Sequence, residues 1–243
     1  RLLTGPKRSL VCSLTQACKK ESSSSEKPSE IFGSISSNGQ IILSNPNGMI
    51  FGHDSRIDVT GLVATTASIS TNSFMNDAVL FFTQSGNTNG KITNYGTITA
   101  KEAGLVALIA PNVENQGLIG ARLGQIELAG ADRFAVDFYG DGLLSIAVDS
   151  DTAATAVSNT GTLRARGGEV VLTAAQAAHV VSSTVNLNGI VDVAASRTDA
   201  YGTVVFGDGI GGNVTITGKD IHLADNACIV ASGPNGGGSV NVG

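Results

Sequence analysis

Few residues in this chain are of the types and spacings that carry chemistry. Asp54 and Asp58 are separated by two steps of strand alternation, which would place both on one face. Glycoside cleavage uses two convergent carboxylates, but a pair of solvated surface charges accounts for these two without any reaction. Asp137 and Asp141 flank Phe138-Tyr139-Gly140 and read as a hairpin-like turn. His53, His179 and His222 are widely spaced and fall in no metal-ligand pattern, so they read as surface or corner residues. The segment Gly207-Asp208-Gly209-Ile210-Gly211-Gly212-Asn213 has the glycine and aspartate of a calcium loop in one copy only, and a plain loop suffices. No Gly-x-Ser-x-Gly elbow is present. We assign no catalytic residue, no metal ligand and no cofactor.

Cys12, Cys18 and Cys228 form no CxxC pair, which argues against a zinc or dithiol redox site. A Cys12–Cys18 disulfide and two separate thiols are both compatible with the spacing. Cys228, within Ala227-Cys228-Ile229-Val230, reads as a small buried apolar residue.

The motif that remains is Asn45-Pro46-Asn47-Gly48. Its chemistry is that of a turn: Pro46 fixes φ, Asn47 tolerates the left-handed region, and Gly48 takes positive φ without strain. It lies between two apolar alternations, so a stack of short strands must position it.

That stack is visible as a repeat. Asn94-Tyr95-Gly96-Thr97-Ile98-Thr99-Ala100 aligns with Asn115-Gln116-Gly117-Leu118-Ile119-Gly120-Ala121 and with Asn159-Thr160-Gly161-Thr162-Leu163-Arg164-Ala165. A looser copy begins at Leu187-Asn188-Gly189. Each copy is followed by a second strand opened by a glycine, at Gly104, Gly124, Gly168 and Gly212. The unit reads as strand, turn, strand. Asn94 and Asn115 are 21 residues apart, one turn of a parallel β-helix and too short for a propeller blade. In Thr97-Ile98-Thr99 the isoleucine points one way and both threonines the other. One coil therefore has an apolar edge that only its neighbours can cover. Stacking is expected to align Ile98 with Ile119 in an inner column, and to bring the corner asparagines, in left-handed conformations, into a hydrogen-bonded ladder. Two Ala-rich stretches, 152–156 and 174–178, admit a helical turn, but Val180, Val181 and Val185 next to them favour strand.

Composition agrees with a narrow core. Of 243 residues 42% are apolar and only 5% aromatic, with no Trp, so the interior must be built from Val, Ile, Leu and Ala, which suit closely stacked layers. The 31 glycines exceed average usage and fit a fold with many corners. A formal charge of −5 without a basic stripe argues against a nucleic-acid partner. The longest apolar run, 104–110, is far shorter than the roughly 20 residues of a membrane span. Residues 1–27 are Ser- and Lys-rich without alternation and are expected to be disordered or poorly packed, leaving 28–243 as the β-helical domain. The first residue is Arg and no signal peptide is visible in 1–30, which reads as a fragment or processed form.

The segment from 37 to 66, SNGQIILSNPNGMIFGHDSRIDVTGLVATT, resembles the two-partner secretion domain, the haemagglutination activity domain of the filamentous haemagglutinin family. Asn45-Pro46-Asn47-Gly48-Met49 and Phe51-Gly52 carry the likeness, supported by Pro28-Ser29-Glu30-Ile31-Phe32-Gly33 upstream and Val136-Asp137-Phe138-Tyr139-Gly140-Asp141-Gly142 downstream. The best match covers 28–148, with further coils over 149–243. The resemblance implies an all-β, right-handed parallel β-helix without catalytic activity. It further implies the secretion domain of a large exported adhesin, passing through the periplasm to the medium or cell surface. The implied partner is an outer-membrane β-barrel transporter with periplasmic docking domains, and Asn45, Pro46, Asn47 and Gly48 would be the residues it recognises; a host-cell or neighbouring-cell surface is a further expected contact. Two other readings share this fold: a β-helical carbohydrate-active enzyme, and the carrier portion of a contact-dependent toxin. Residues 1–27 lack the family's usual amino-terminal cap and second Asn-Pro-type motif, so the coil at 31–43 is expected to expose an open sheet edge.

Overall fold

A computed structural model describes residues 2–5, 8–13, 27–69, 79–83, 88–137, 144–146, 154–174, 182–198, 204–206 and 209–243. Within these residues the chain is all strand, wound as the expected parallel β-helix.

Three parallel sheets run along the helix. Sheet B begins at Ser29–Ile31 and sheet C at Ser34–Ser36, each with seven strands, and sheet A has nine. Every coil visits B, then C, then A, so the repeating unit has three strands rather than the two that the sequence suggests. The coil through Asn112–Asn115, Leu118–Ala121 and Gln125–Gly130 is representative. Its first strand escapes notice because Asn-Val-Glu-Asn has only one apolar residue to mark it.

Register is kept without slippage. Ile35, Ile57, Ile98, Ile119, Leu163, Val191 and Ile229 occupy one level of sheet C from coil to coil, and the five between the first and last are fully buried. The predicted Ile98–Ile119 column is part of this line. Each such side chain contributes roughly 1.5–3 kcal/mol when removed from water, and none can be covered within its own coil.

The glycines that open the sheet A strands form a second column. A methyl group on Gly124, Gly168 or Gly212 would run into the carbonyl oxygen of the preceding coil's Gly104, Gly124 or Gly168. Backbone meets backbone at this corner, so any Cβ would force the layers apart.

Long excursions leave the coils mainly at the A-to-B corner. Val79–Phe82 pairs antiparallel with Phe134–Asp137, which pairs antiparallel with Leu144–Ile146. The turn read from Asp137 and Asp141, at 138–143, lies outside the described residues. The three-stranded sheet lies on the outer face of sheet A: Leu80, Phe82, Phe134 and Val136 bury Ile42, Val63, Ala107, Ile109 and Ala129. The rings of Phe82 and Phe134 stack at 4.4 Å. Sheet A is thus apolar on both faces, as the unbroken Leu105–Ala110 run reflects.

Other expectations are revised. The open edge predicted at 31–43 is covered in sheet A, because Arg8–Ser13 pairs in parallel with Gln40–Ser44 and Leu2–Gly5 pairs antiparallel with Arg8–Ser13. A strand edge with free N–H and C=O groups recruits any neighbouring extended segment, and here two from within 1–27 serve. Among the described residues, the left-handed non-glycine positions are not the corner asparagines but Ala103 (φ 59°) and Leu123 (φ 54°), at the C-to-A corner. Ala154–Asn159 is strand, the reading favoured for the first Ala-rich stretch. Cys228 is exposed, because Ala227, Ile229 and Ala231 take the inward positions around it; the side chains of Cys12 and Cys18, and His179, lie outside the described residues.

Candidate recognition site

The Asn45-Pro46-Asn47-Gly48 turn is the A-to-B corner between Gln40–Ser44 and Met49–Phe51. Asn45 is 4% exposed. Its side-chain oxygen accepts from the Asn47 N–H (2.9 Å), and its amide nitrogen donates to Ser29 Oγ (2.7 Å). The backbone closes the turn with Gly48 N–H donating to the Asn45 carbonyl at 2.9 Å. Gly48 adopts φ 99°, and a side chain there would strike the Lys91 carbonyl of the next coil. Pro46 and Asn47 are half-exposed while Asn45 and Gly48 are buried. The folded corner therefore spends Asn45 and Gly48 on its own geometry, and only Pro46 and Asn47 reach its surface.

Lys91 opens the strand stacked over this corner and meets Glu114 of the following coil at 2.6 Å. That hydrogen bond holds the Glu114 carboxyl below its ordinary range against a smaller opposing effect of burial.

The opposite end of Met49–Phe51 carries the B-to-C corner, where sequence reasoning found only the asparagine ladder. Asn94 Nδ2 donates to Asn115 Oδ1 (2.8 Å), and Asn115 Nδ2 donates to Asn159 Oδ1 (2.7 Å). All three are fully buried, at the level held by Phe51 above and Leu187 below. Each amide also donates to the glycine carbonyl two residues on, at 3.3–3.4 Å.

Outside the ladder the same corner is aromatic. Phe32 is 60% exposed, and its ring lies so close over Gly52 that a methyl there would collide with it. His53 and Asp54 protrude between Gly52 and Ser55, and the His53 ring rests on Tyr95 at 4.9 Å. Asp54 thus sits in a turn and Asp58 on the strand Arg56–Val59, so they do not share the strand face expected of them. His222 is exposed on Asp220–Leu223. Among the described residues no three His, Cys, Asp or Glu side chains are grouped to hold a metal ion.

The burial of Glu127 was not anticipated. Glu127 is 2% exposed on the outer face of sheet A. Burial, reinforced by the charge of Glu169, pushes its carboxyl up to about 8. Its placement was hidden because Gln-Ile-Glu-Leu reads as an ordinary alternation with its acid in water.

A coil stack of this kind serves more than one class of protein, and comparison with known proteins distinguishes among them. The chain belongs to the TPS secretion domain family, whose family model matches residues 24–215. It is 29% identical over 163 residues to the heme/hemopexin-binding protein of Haemophilus influenzae, covering 60% of this chain and 16% of that protein. Its fold is similar to the crystal structure of the HMW1 secretion domain from Haemophilus influenzae, with a TM-score of 0.61 and 23% identity over 90% of this chain and 57% of that one. The chain thus spans about a sixth of the curated relative it matches.

Proposed function

We propose that this domain is the part of a large exported adhesin-like protein that a cognate outer-membrane β-barrel transporter recognises, carrying it from the periplasm to the medium or cell surface, and that it has no catalytic role. The observation that supports this best is the family match over 24–215, falling on a coil stack whose corner at 45–48 carries the Asn-Pro-Asn-Gly turn. In this reading the chain crosses extended, its strands pairing with the transporter's periplasmic docking domains by β-augmentation. Coils then add one at a time outside, and each new coil buries the apolar edge of the last. Pro46 and Asn47 are the half-exposed motif residues that this reading assigns to the transporter contact, while Asn45 and Gly48 are buried in the turn.

The test is secretion. The chain, placed behind a signal peptide and co-expressed with its transporter, is assayed in the medium as wild type and as Asn47→Ala. We expect export of the wild type only with the transporter, and reduced export of Asn47→Ala with unchanged β circular dichroism of the purified domain. Equal export of the two would reduce the motif to a structural turn, and transporter-independent export would remove the proposal.

A further inference from the structure

We propose that Asn38 is a site of spontaneous deamidation in the folded domain, converted through a cyclic imide with Gly39 to aspartate and isoaspartate. This modification does not depend on the transporter reading.

The chemistry requires a carboxamide, the backbone nitrogen that follows it, and room to bring the two together. The Gly39 nitrogen attacks Asn38 Cγ, the N–Cγ bond forms, the Cγ–Nδ2 bond breaks, and ammonia leaves with the proton of the Gly39 amide. Water then opens the imide at the side-chain carbonyl to give aspartate, or at the main-chain carbonyl to give isoaspartate. A glycine after the asparagine favours closure, because it has no Cβ to crowd the ring and its backbone turns freely.

Five asparagines precede a glycine: Asn38, Asn47, Asn89, Asn188 and Asn235. The fold separates them. Gly48 and Gly189 are buried against the backbone of an adjacent coil, where a methyl group would strike the Lys91 and Gly161 carbonyl oxygens. The peptide plane that must rotate is wedged there. The Gly48 N–H also donates to the Asn45 carbonyl at 2.9 Å. Gly90 is buried against Thr66 and the Pro46 carbonyl. The Asn235 carboxamide packs on Gly209, and its backbone N–H donates to the Gly209 carbonyl. Asn38 is under none of these restraints. It is exposed at the C-to-A corner of the first coil, and a methyl group on Gly39 would meet only Ser37 Oγ, at 3.5 Å. The Gly39 N–H donates to that same hydroxyl at 3.0 Å, a partner within the turn that moves with it.

Isoaspartate would add one methylene to the main chain between two bonds that tie the first coil to the second. The Ser37 N–H donates to the Asp58 carbonyl at 2.9 Å, and the Thr60 N–H donates to the Gly39 carbonyl at 3.0 Å. A lengthened chain cannot keep both in register, so conversion loosens the corner that leads into Gln40–Ser44.

The experiment holds the purified 243-residue chain in mildly alkaline buffer, folded and in parallel in urea, and maps its peptides by mass spectrometry that distinguishes isoaspartate. In the folded chain Asn38 is expected to convert about tenfold faster than the other four, which wait for local opening, and in urea the five rates should converge. Gly39→Ala, for which the corner has space, should slow conversion at Asn38 about tenfold with unchanged melting temperature. Faster conversion at any of the other four in the folded chain, or an equal lead for Asn38 in urea, would overturn selection by the fold. Unchanged conversion in Gly39→Ala would overturn the imide route. Converted chain, separated by its added negative charge, should exchange its amide hydrogens faster over 37–44 than unconverted chain, and equal exchange would overturn the loosening.

Discussion

Asn115 Nδ2 lies 2.7 Å from Asn159 Oδ1, although 44 residues separate them in sequence. Asn115 accepts from Asn94 on its other side, so it is the middle rung of a ladder sealed from water. Substituting it would strand a buried donor on Asn94 and a buried acceptor on Asn159. Asn115→Ala should therefore destabilise the domain by about 3 kcal/mol, the cost of leaving such groups unsatisfied. Urea unfolding of the two proteins measures it; a loss below 1 kcal/mol would mean that water replaces the rung.

Two glycines of one coil make a contrast. At Gly124 a methyl group would press into the Gly104 carbonyl oxygen, whereas at Gly120 nothing lies within 4 Å. Gly124→Ala is expected to cost about 3 kcal/mol or more, as overpacking against an unyielding backbone does. Gly120→Ala, on an exposed-face strand position, should be neutral or slightly stabilising. Thermal melts of both variants decide the matter, and similar melting temperatures would contradict the close stacking.

The Glu127 carboxyl makes stability depend on pH. Its folded pKa of about 8 lies above the ordinary 4.5, so between these values the folded state keeps a proton that the unfolded state has released. Stability is then full below about pH 4.5, falls as pH rises toward 8, and levels off above. Glu127→Gln should match wild type near pH 4 and melt several degrees higher at pH 8. A melting difference that did not change with pH would show that the acid is not protonated in the fold.

Leu123 holds φ 54° with 38% of its surface exposed, at the corner where the following coil has Gly167 at φ 70°. A left-handed conformation costs a branched residue roughly 1–2 kcal/mol that glycine avoids. Leu123→Gly is accordingly expected to raise stability by about 1 kcal/mol and Gly167→Leu to lower it similarly, in denaturant titrations. A destabilised Leu123→Gly would mean that its packing outweighs the strain.

What the sequence disclosed follows from which contacts are repetitive. Asn94, Asn115 and Asn159 were aligned by their shared Asn-x-Gly spacing, and the structure joins these same three residues. The glycines at 104, 124, 168 and 212 announced themselves similarly, because a backbone-to-backbone contact admits one residue type at every coil. Features that occur once leave no such trace. Cys228 was misjudged because its neighbours, not its own type, decide which way it points, and the antiparallel sheet over sheet A is made by insertions of unequal length. At the candidate site, 45–48 was legible as a turn, but its division into buried Asn45 and Gly48 and half-exposed Pro46 and Asn47 depends on Ser29 and Lys91, which are distant in sequence. Phe32 reaches Gly52, and His53 reaches Tyr95, only through the stacking of successive coils.

The placement of the excursions has a practical corollary. Three long connections, from Gly61–Thr65 to Lys91–Asn94, from Gln125–Gly130 to Ala154–Asn159 and from Glu169–Ala174 to Ser182–Leu187, each join a sheet A strand to a sheet B strand, yet across the second Asn112–Asn115 pairs residue for residue with 156–159. That seam is already a port for guest sequence: a foreign epitope spliced there would ride on the outside of the rod while the columns within passed beneath it uninterrupted.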